Sequence, residues 1–277
     1  MISVIIPCKL KSDLCSELLP ALRSQSTKPL EILIITDKIH PGGPAQKRDF
    51  AAKLAKGNIL AFIDSDAYPD KHWLKNASQS LKPANISAVC GPGLTPPNNS
   101  YCQKISGLVW STTLGAGPYT YRNCQKPSRF VDDYPTFNFL IKKSSFNQIN
   151  GFNTKYWPGE DTKLCHDLVY QLNQKILYHP QILVYHHRRP IFIPHLIQIS
   201  RYGFQRGRFV KIFPRTSLRP AYFLPLLLPF IFPLYCLTLI IAAIYYHSPL
   251  LAPAVFLTHL TYALYFIKGL FTKVRPS

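Results

Sequence analysis

The chain has 277 residues, a formal net charge of +19 and a hydrophobic share of 47%, with mean hydropathy +0.01. Such an apolar share excludes a disordered chain, and no internal repeat points to a solenoid. Every acidic residue lies at or before Asp167, and no Lys, Arg, Asp or Glu occurs from Pro220 to Ile267. A polar N-terminal domain followed by a membrane segment is therefore expected.

In chain order, Ile2–Pro7 is a β-branched run closed by proline and reads as a buried strand. Lys11–Ser24 carries Leu14, Leu18 and Leu22 at helical spacing, with Ser12 as the expected N-cap. Leu30–Thr36 is a second strand, and the Pro41–Pro44 loop leads into a helix over Ala45–Lys56 closed by Gly57. Ile59–Ile63, His72–Leu81 and Ile86–Cys90 follow as strand, helix and strand. This alternation predicts a mostly parallel sheet flanked by helices, an α/β fold. Tyr101–Asp133 is rich in Tyr, Asn, Gly and Pro and is expected to contain an irregular loop. Leu164–Leu172 reads as a helix and Ile182–Tyr185 as a strand.

The seven cysteines form no CxxC and no metal-type spacing, so free buried thiols in a reducing compartment are expected, with a Cys102–Cys124 bridge as the alternative. Ile2–Pro7 is too short and lacks the basic flank of a cleavable signal. Tyr222–Tyr246 is uncharged and about 37 Å long as a helix, against roughly 30 Å of hydrocarbon. Leu250–Ile267 offers a second, shorter span. Arg206, Arg208, Lys211, Arg215 and Arg219 precede the pair, while Lys268, Lys273 and Arg275 follow it. The positive-inside rule then predicts a hairpin at the inner membrane with both termini cytoplasmic. Pro225, Pro229 and Pro233 should kink its first half, so an interfacial or re-entrant first half is an alternative, and a buried hydrophobic core pair is the other reading. The membrane surface accounts for the basic excess better than nucleic acid does, since no nucleic-acid motif is present.

In parallel sheets ligands bind beyond the carboxyl ends of the strands. Asp37 follows the second strand and Asp64-Ser65-Asp66 the third, so these acids share that edge. They suit a hard divalent cation, or simply form a solvated turn. Glu160 and Asp161 follow Tyr156-Trp157-Pro158 and begin a helix. They serve there as a cap or as a general base, and spacing leaves both open.

Five blocks in order resemble a family 2 glycosyltransferase of the GT-A fold over residues 1 to about 220. They are ISVIIPCK, EILIITDK, GGPAQKRDFAAKLAKGNILAFIDSDAYPDKHWL, FNFLIKKSSFNQINGF and GEDTKLCHDLVYQLNQKILYHPQILVYHHRR. RYGFQRGRFVKIFPR resembles the basic segment that precedes the membrane helices of bacterial sugar transferases. It is also similar to a Gln-x-x-Arg-Trp motif with Phe209 in place of tryptophan. The resemblance implies a GT-A domain over 1–199, a basic interfacial segment over 200–220 and a membrane domain over 221–277, with spans near 222–246 and 250–270.

The resemblance also implies roles. Pro7, Asp37, Arg48, Asp64 and Ser65 would bind a nucleotide-diphosphate sugar, and Asp66 would ligate Mg²⁺ or Mn²⁺. Apart from the resemblance, His186 and His187 follow the Ile182–Tyr185 strand and read as surface or core histidines, or His186 returns to the cleft as a third metal ligand. Asp161 would be the general base with Glu160 in support. Trp157 would stack on the acceptor, the irregular loop within Tyr101–Asp133 would face it, and Arg206 and Arg208 would hold a diphosphate or a lipid phosphate. Thr36, Asp49 and Lys163 depart from the family pattern; asparagine is common where Asp49 stands. The expected reaction is an inverting sugar transfer to a lipid-linked or glycan acceptor at the cytoplasmic membrane face. Two other readings compete: a metal-dependent nucleotidyltransferase, which lacks its glycine-rich phosphate loop here, and a non-catalytic membrane-anchored binding protein.

Overall fold

The structure is a computed structural model and describes residues 1–154 and 156–273. Arg275, one of the flanking charges, lies outside the described residues. In chain order the elements are β1 (Ile2–Pro7), α1 (Leu18–Arg23), β2 (Glu31–Ile35), α2 (Pro44–Leu54), β3 (Ile59–Ile63), β4 (Ala67–Pro69), α3 (Trp73–Ser80), β5 (Ile86–Cys90) and β6 (Gly93–Leu94). They continue with α4 (Tyr101–Ser111), α5 (Thr113–Ala116), β7 (Arg129–Val131), β8 (Asn138–Lys142), α6 (Lys143–Gln148), α7 (Glu160–His166), β9 (Lys175–Tyr178) and β10 (Val184–His186). The last five are α8 (Ile193–Ile212), α9 (Pro214–Ser217), α10 (Pro220–Phe223), α11 (Phe232–Tyr245) and α12 (Leu251–Phe271).

The chain divides into two compact units. The first comprises Met1–Leu94 and Cys124–His186, and the second Thr95–Asn123 together with the residues from His187 onward. The second unit therefore draws in a segment that the sequence reading placed within residues 1–199.

In the first unit a seven-stranded sheet runs β2-β1-β3-β8-β5-β9-β7, and a small sheet runs β4-β10-β6. The large sheet is mixed rather than mostly parallel: β1–β2, β1–β3 and β5–β9 are parallel, while β3–β8, β5–β8 and β7–β9 are antiparallel. The cause lies in β8, which enters the centre of the sheet from a long excursion rather than from a helical crossover. Its first residue, Asn138, is wholly buried and anchored at three points. Its amide donates to the carbonyls of Gly91 (2.6 Å) and Ile182 (2.7 Å), and its carbonyl accepts from the Trp73 indole (2.8 Å). Around Asn138 the core of the sheet is mainly apolar, with Val4, Ile5, Ile6, Leu60, Phe62, Leu140 and Ile176 fully buried.

Three local expectations need correction here. The helix predicted over Lys11–Ser24 starts only at Leu18, because Asp13 folds back to accept from the Leu10 N–H (2.8 Å) and closes a 3₁₀ turn first. The helix predicted over Leu164–Leu172 begins at Glu160 and passes into a π-helical turn over Asp167–Gln171. The predicted strand Ile182–Tyr185 is shifted to Val184–His186, paired with β4 and β6. All seven cysteines, Cys102 and Cys124 included, are free thiols.

In the second unit Tyr101–Ser111 is helical, not irregular. Ser100 and Gln103 form a reciprocal capping box, with Ser100 N–H donating to Gln103 Oε1 (2.9 Å) and Gln103 N–H to Ser100 Oγ (3.4 Å). Helices α8 and α12 touch backbone to backbone. A methyl group added to Gly207 would fall 2.1 Å from the Phe266 carbonyl oxygen, and one on Gly269 would fall 2.0 Å from that of Phe204. The expected first span is not one helix. Residues Pro220–Leu227 and Phe232–Tyr245 meet at 104°, as prolines in consecutive turns remove backbone donors. Only α12, at 21 residues, is long and apolar enough to cross a membrane unaided among the described residues.

His195 of α8 ties three helices of this unit together. Its Nδ1 lies 2.9 Å from Ser106 Oγ on α4 and its Nε2 2.9 Å from Thr258 Oγ1 on α12. Burial, aided by the Arg188 charge, pushes the imidazole from 6.5 down to about 4. A depressed histidine supplies stability above its unfolded value that is lost as pH falls toward its folded value. The unit should thus lose on the order of 3 kcal/mol between pH 6.5 and 4. Hydrogen exchange of α4, α8 and α12 across that window checks this, and His195→Gln should flatten the dependence.

Candidate active site

All of the acidic residues singled out from the sequence belong to the first unit. β1 is flanked by β2 and β3, with Ile5 opposite both Leu33 and Phe62, so the ends of the three strands align. Pro7 closes β1 and is buried. Asp37 comes two residues after β2, its N–H donating to the Lys9 carbonyl (3.0 Å) and its carboxylate paired with the buried Lys47 of α2.

Arg48, the next residue of α2, joins two segments far apart in sequence. Its Nη2 donates to Asp64 Oδ1 at 2.6 Å and its Nη1 to Glu160 Oε1 at 3.2 Å, while its guanidinium lies 5.6 Å from the Phe152 ring centroid. The Arg48 side chain is 3% exposed, Glu160 9% and Asp64 34%, so the pair with Glu160 is buried and the pair with Asp64 opens to solvent. Its Nε has no acceptor among the described residues.

Glu160 and Asp161 open α7 behind Gly159, whose φ of +118° suits a residue without a Cβ. The second oxygen of Glu160 accepts from the Gly159 N–H (3.0 Å). Asp161 Oδ1 accepts from the Thr162 N–H (2.8 Å), and the Thr162 hydroxyl donates to Asp133 Oδ1 (2.9 Å). The acids shape this turn, although the helix N-cap, Gly159, has no side-chain cap bond, and Glu160 shares its cation with Asp64.

Asp64, Asp66 and His186 each offer a ligand atom within 4.8 Å of the other two. The strand register explains how: His186 of β10 stands opposite Ala67 of β4, next to Asp66. His186 Nε2 is 3.0 Å from Asp66 Oδ1, and its ring stacks on Phe137 with centroids 4.8 Å apart. Two carboxylate oxygens and one imidazole nitrogen suit Mg²⁺ or Mn²⁺, the nitrogen favouring the softer ion. The residues present therefore fit a divalent cation. Ser65 lies between the two acids, and its carbonyl accepts from the Cys15 N–H (2.8 Å).

Trp157 is 53% exposed in the loop before α7. Arg206 and Arg208 belong to α8 of the second unit. Arg206 donates to Ser217 Oγ (3.0 Å) and lies over the Tyr222 ring, while Arg208 donates to Gln205 Oε1 (3.2 Å). Sequence reasoning missed Lys47, Phe137, Thr162 and the function of Asp49. The Asp49 carboxylate accepts from the N–H groups of Phe152 (2.8 Å) and Asn153 (3.1 Å), and burial pushes it above the usual carboxylate range. A carboxylate can accept both bonds, whereas asparagine accepts with one oxygen only.

Residues 37–149 match the family model "Glycosyl transferase family 2". A pre-mycofactocin glycosyltransferase of Mycobacterium tuberculosis is 25% identical over 152 residues, 54% of this chain and 31% of that protein. The chain thus spans under a third of the length of the curated relatives it matches. A mannosyltransferase from Pyrobaculum calidifontis, solved with GDP-Man and Mn²⁺, superposes with TM-score 0.59 at 16% identity, covering 98% of this chain and 87% of its own. GalNAc-T7, solved with UDP, GalNAc and Mn²⁺, gives 0.52 at 14% identity, covering 79% and 51%. Together these findings support a family 2 glycosyltransferase. The structural likenesses carry the fold, a mixed α/β arrangement of GT-A type, and the sequence matches support the family over residues 37–149. The family match runs from Asp37 through α6 and takes in Arg48, Asp64, Ser65 and Asp66; Glu160, Asp161 and His186 lie beyond it.

Proposed function

We propose that the chain is an inverting glycosyltransferase that moves a sugar from a nucleotide-diphosphate sugar to a lipid-linked or glycan acceptor at the cytoplasmic face of a membrane. The observation that carries this reading is the Asp64–Arg48–Glu160 bridge, which holds the candidate cation ligands and the candidate base turn in one connected group. The nucleotide sugars and Mn²⁺ in the two structural neighbours support the donor class.

In this reading Asp37 addresses the nucleotide base beside Pro7, and Asp64 with Ser65 lies on the ribose side. Asp66 and His186 hold a divalent cation with Asp64, and that cation supplies Lewis-acid neutralisation of the diphosphate when bound. Arg48 pairs with Glu160 and holds the α7 turn. Asp161 takes the proton from the acceptor hydroxyl, which attacks the anomeric carbon from the face opposite the departing nucleoside diphosphate. One base suffices for a single displacement. Trp157, exposed beside that turn, offers a stacking face to an acceptor sugar, and Arg206 and Arg208 offer cations to a phosphate.

The test is a hydrolysis screen over nucleotide sugars with the purified chain in detergent, with Mg²⁺ or Mn²⁺ and with chelator. Release of nucleoside diphosphate from a donor, lost on chelation, is the expected result. Release of pyrophosphate instead would make the chain a nucleotidyltransferase, and no turnover with any donor would favour a binding protein.

A further inference from the structure

We infer that the second unit lies in one leaflet of an anionic bilayer, with α11 and the outer side of α12 in the membrane plane, and that these helices do not cross as a hairpin. This rests on the membrane reading above and makes it more specific. Helix α12 has the length to cross, but it is packed along its inner side against α4 and α8, with polar contacts at Thr258 and Thr272. Its first half packs through Leu251, Ala254 and Val255 against Ile105 and Val109 of α4. Its second half runs beside α8 in parallel, from His195 at Thr258, through Gly203 at Tyr262 and Gly207 at Phe266, to Lys211, whose Nζ donates to the Thr272 carbonyl (2.6 Å).

A crossing α12 would carry both partner helices into the hydrocarbon. They bring the exposed Lys104 and Arg201, with Lys211 beside Thr272 at the end of α12. Basic side chains at that depth are costly and are tolerated when they face a bundle interior or a partner. Helix α11, at 14 residues, measures about 21 Å, short of roughly 30 Å of hydrocarbon, and the chain turns by 104° before it.

The same unit is built to lie flat. Leu234, Leu237, Ile241 and Ile244 on α11 and Leu264 and Phe271 on α12 are exposed, while Tyr235 and Leu239 hold α11 to the core. One side is apolar and the other attached, the arrangement of an interfacial helix. Exposed Arg201, Lys211, Arg215, Lys268 and Lys273, with no acid among them, give the unit the charge that anionic headgroups attract.

The experiment places a thiol in the turn between α11 and α12 of the full chain expressed in bacteria. Tyr246→Cys and Pro249→Cys are both exposed positions; His247, with φ +48°, is avoided as strained. A membrane-impermeant maleimide is applied to spheroplasts, to inverted membrane vesicles and to detergent-opened membranes, with the unsubstituted chain setting the background of native thiols. The expected result is a chain that stays with the membrane fraction after a salt wash. Its new thiol should be silent from outside in spheroplasts and should react once detergent opens the membrane. Reaction from outside at both positions would establish a crossing hairpin and overturn the inference while leaving the membrane reading intact. A chain recovered as a soluble dimer would assign the apolar face to a second copy and overturn both.

Discussion

Asp161→Asn should lower sugar transfer by roughly 10²–10⁴-fold while nucleotide-sugar binding persists, the loss expected when a general base is removed. The structure makes the substitution clean. Asp161 spends one oxygen on the neighbouring Thr162 N–H, an interaction an asparagine carbonyl reproduces, so the α7 turn keeps its shape. Asp66→Ala serves as the contrast: it removes a ligand atom beside His186 and should depress donor binding and turnover together. Titration of the donor identified in the hydrolysis screen, with turnover measured on the same preparations, separates the two effects. An Asp161→Asn protein that keeps turnover within a few-fold of the unsubstituted chain would remove Asp161 from the chemistry and return it to the role of a cap.

Arg48→Ala should destabilise the first unit by about 3–5 kcal/mol, the usual consequence of removing one partner of a buried charge pair. Glu160 is the reason. It is nearly covered, and among the described residues its donors are Arg48 and the Gly159 N–H, so loss of the guanidinium strands a carboxylate in the protein interior. Asp64, a third exposed, can recover water and should contribute little to the loss. Arg48→Lys should fall between the two, since one ammonium cannot reach both carboxylates as the fork does. The measurement is denaturant unfolding of the single variants and of the Arg48→Ala/Glu160→Gln pair. In the double variant much of the loss should be recovered, because the stranded charge is gone. If Arg48→Ala alone stays within about 0.5 kcal/mol of the starting chain, the bridge carries no weight.

The strands β1, β3 and β5 were legible because each is a short apolar run bounded by turn-forming residues, and the pattern leaves no other use for it. The acids at the sheet edge were legible for a related reason: polar residues that directly follow a buried strand emerge where its neighbours emerge. The place of β8 was not legible. Its five residues look like any buried strand, and its direction is decided by Asn138 reaching Gly91 and Ile182, contacts more than forty residues away in sequence. The Arg48–Glu160 contact spans 112 positions and has no local signature. Helix α4, by contrast, carried a readable signal: Ser100 followed three residues later by Gln103 is a capping-box pattern ahead of a run of helix-compatible residues. The broken first span follows from the spacing of Pro225, Pro229 and Pro233, whereas the packing of α12 against α4 and α8 joins residues far apart in sequence and has no local signature.

Helix α2 sets three consecutive side chains to three different tasks. Lys47 holds Asp37, Arg48 holds Asp64 and Glu160, and Asp49 holds the backbone of Phe152 and Asn153. Successive residues of a helix point about 100° apart, so the three reach in separate directions from one short rod. An insertion or deletion of a single residue between Gly43 and Lys47 would rotate all three anchors at once and unhook Asp37, the Asp64–Glu160 bridge and the Phe152–Asn153 backbone together. Length variation in related chains should therefore gather in the Ile39–Gly43 loop and stop abruptly where α2 begins.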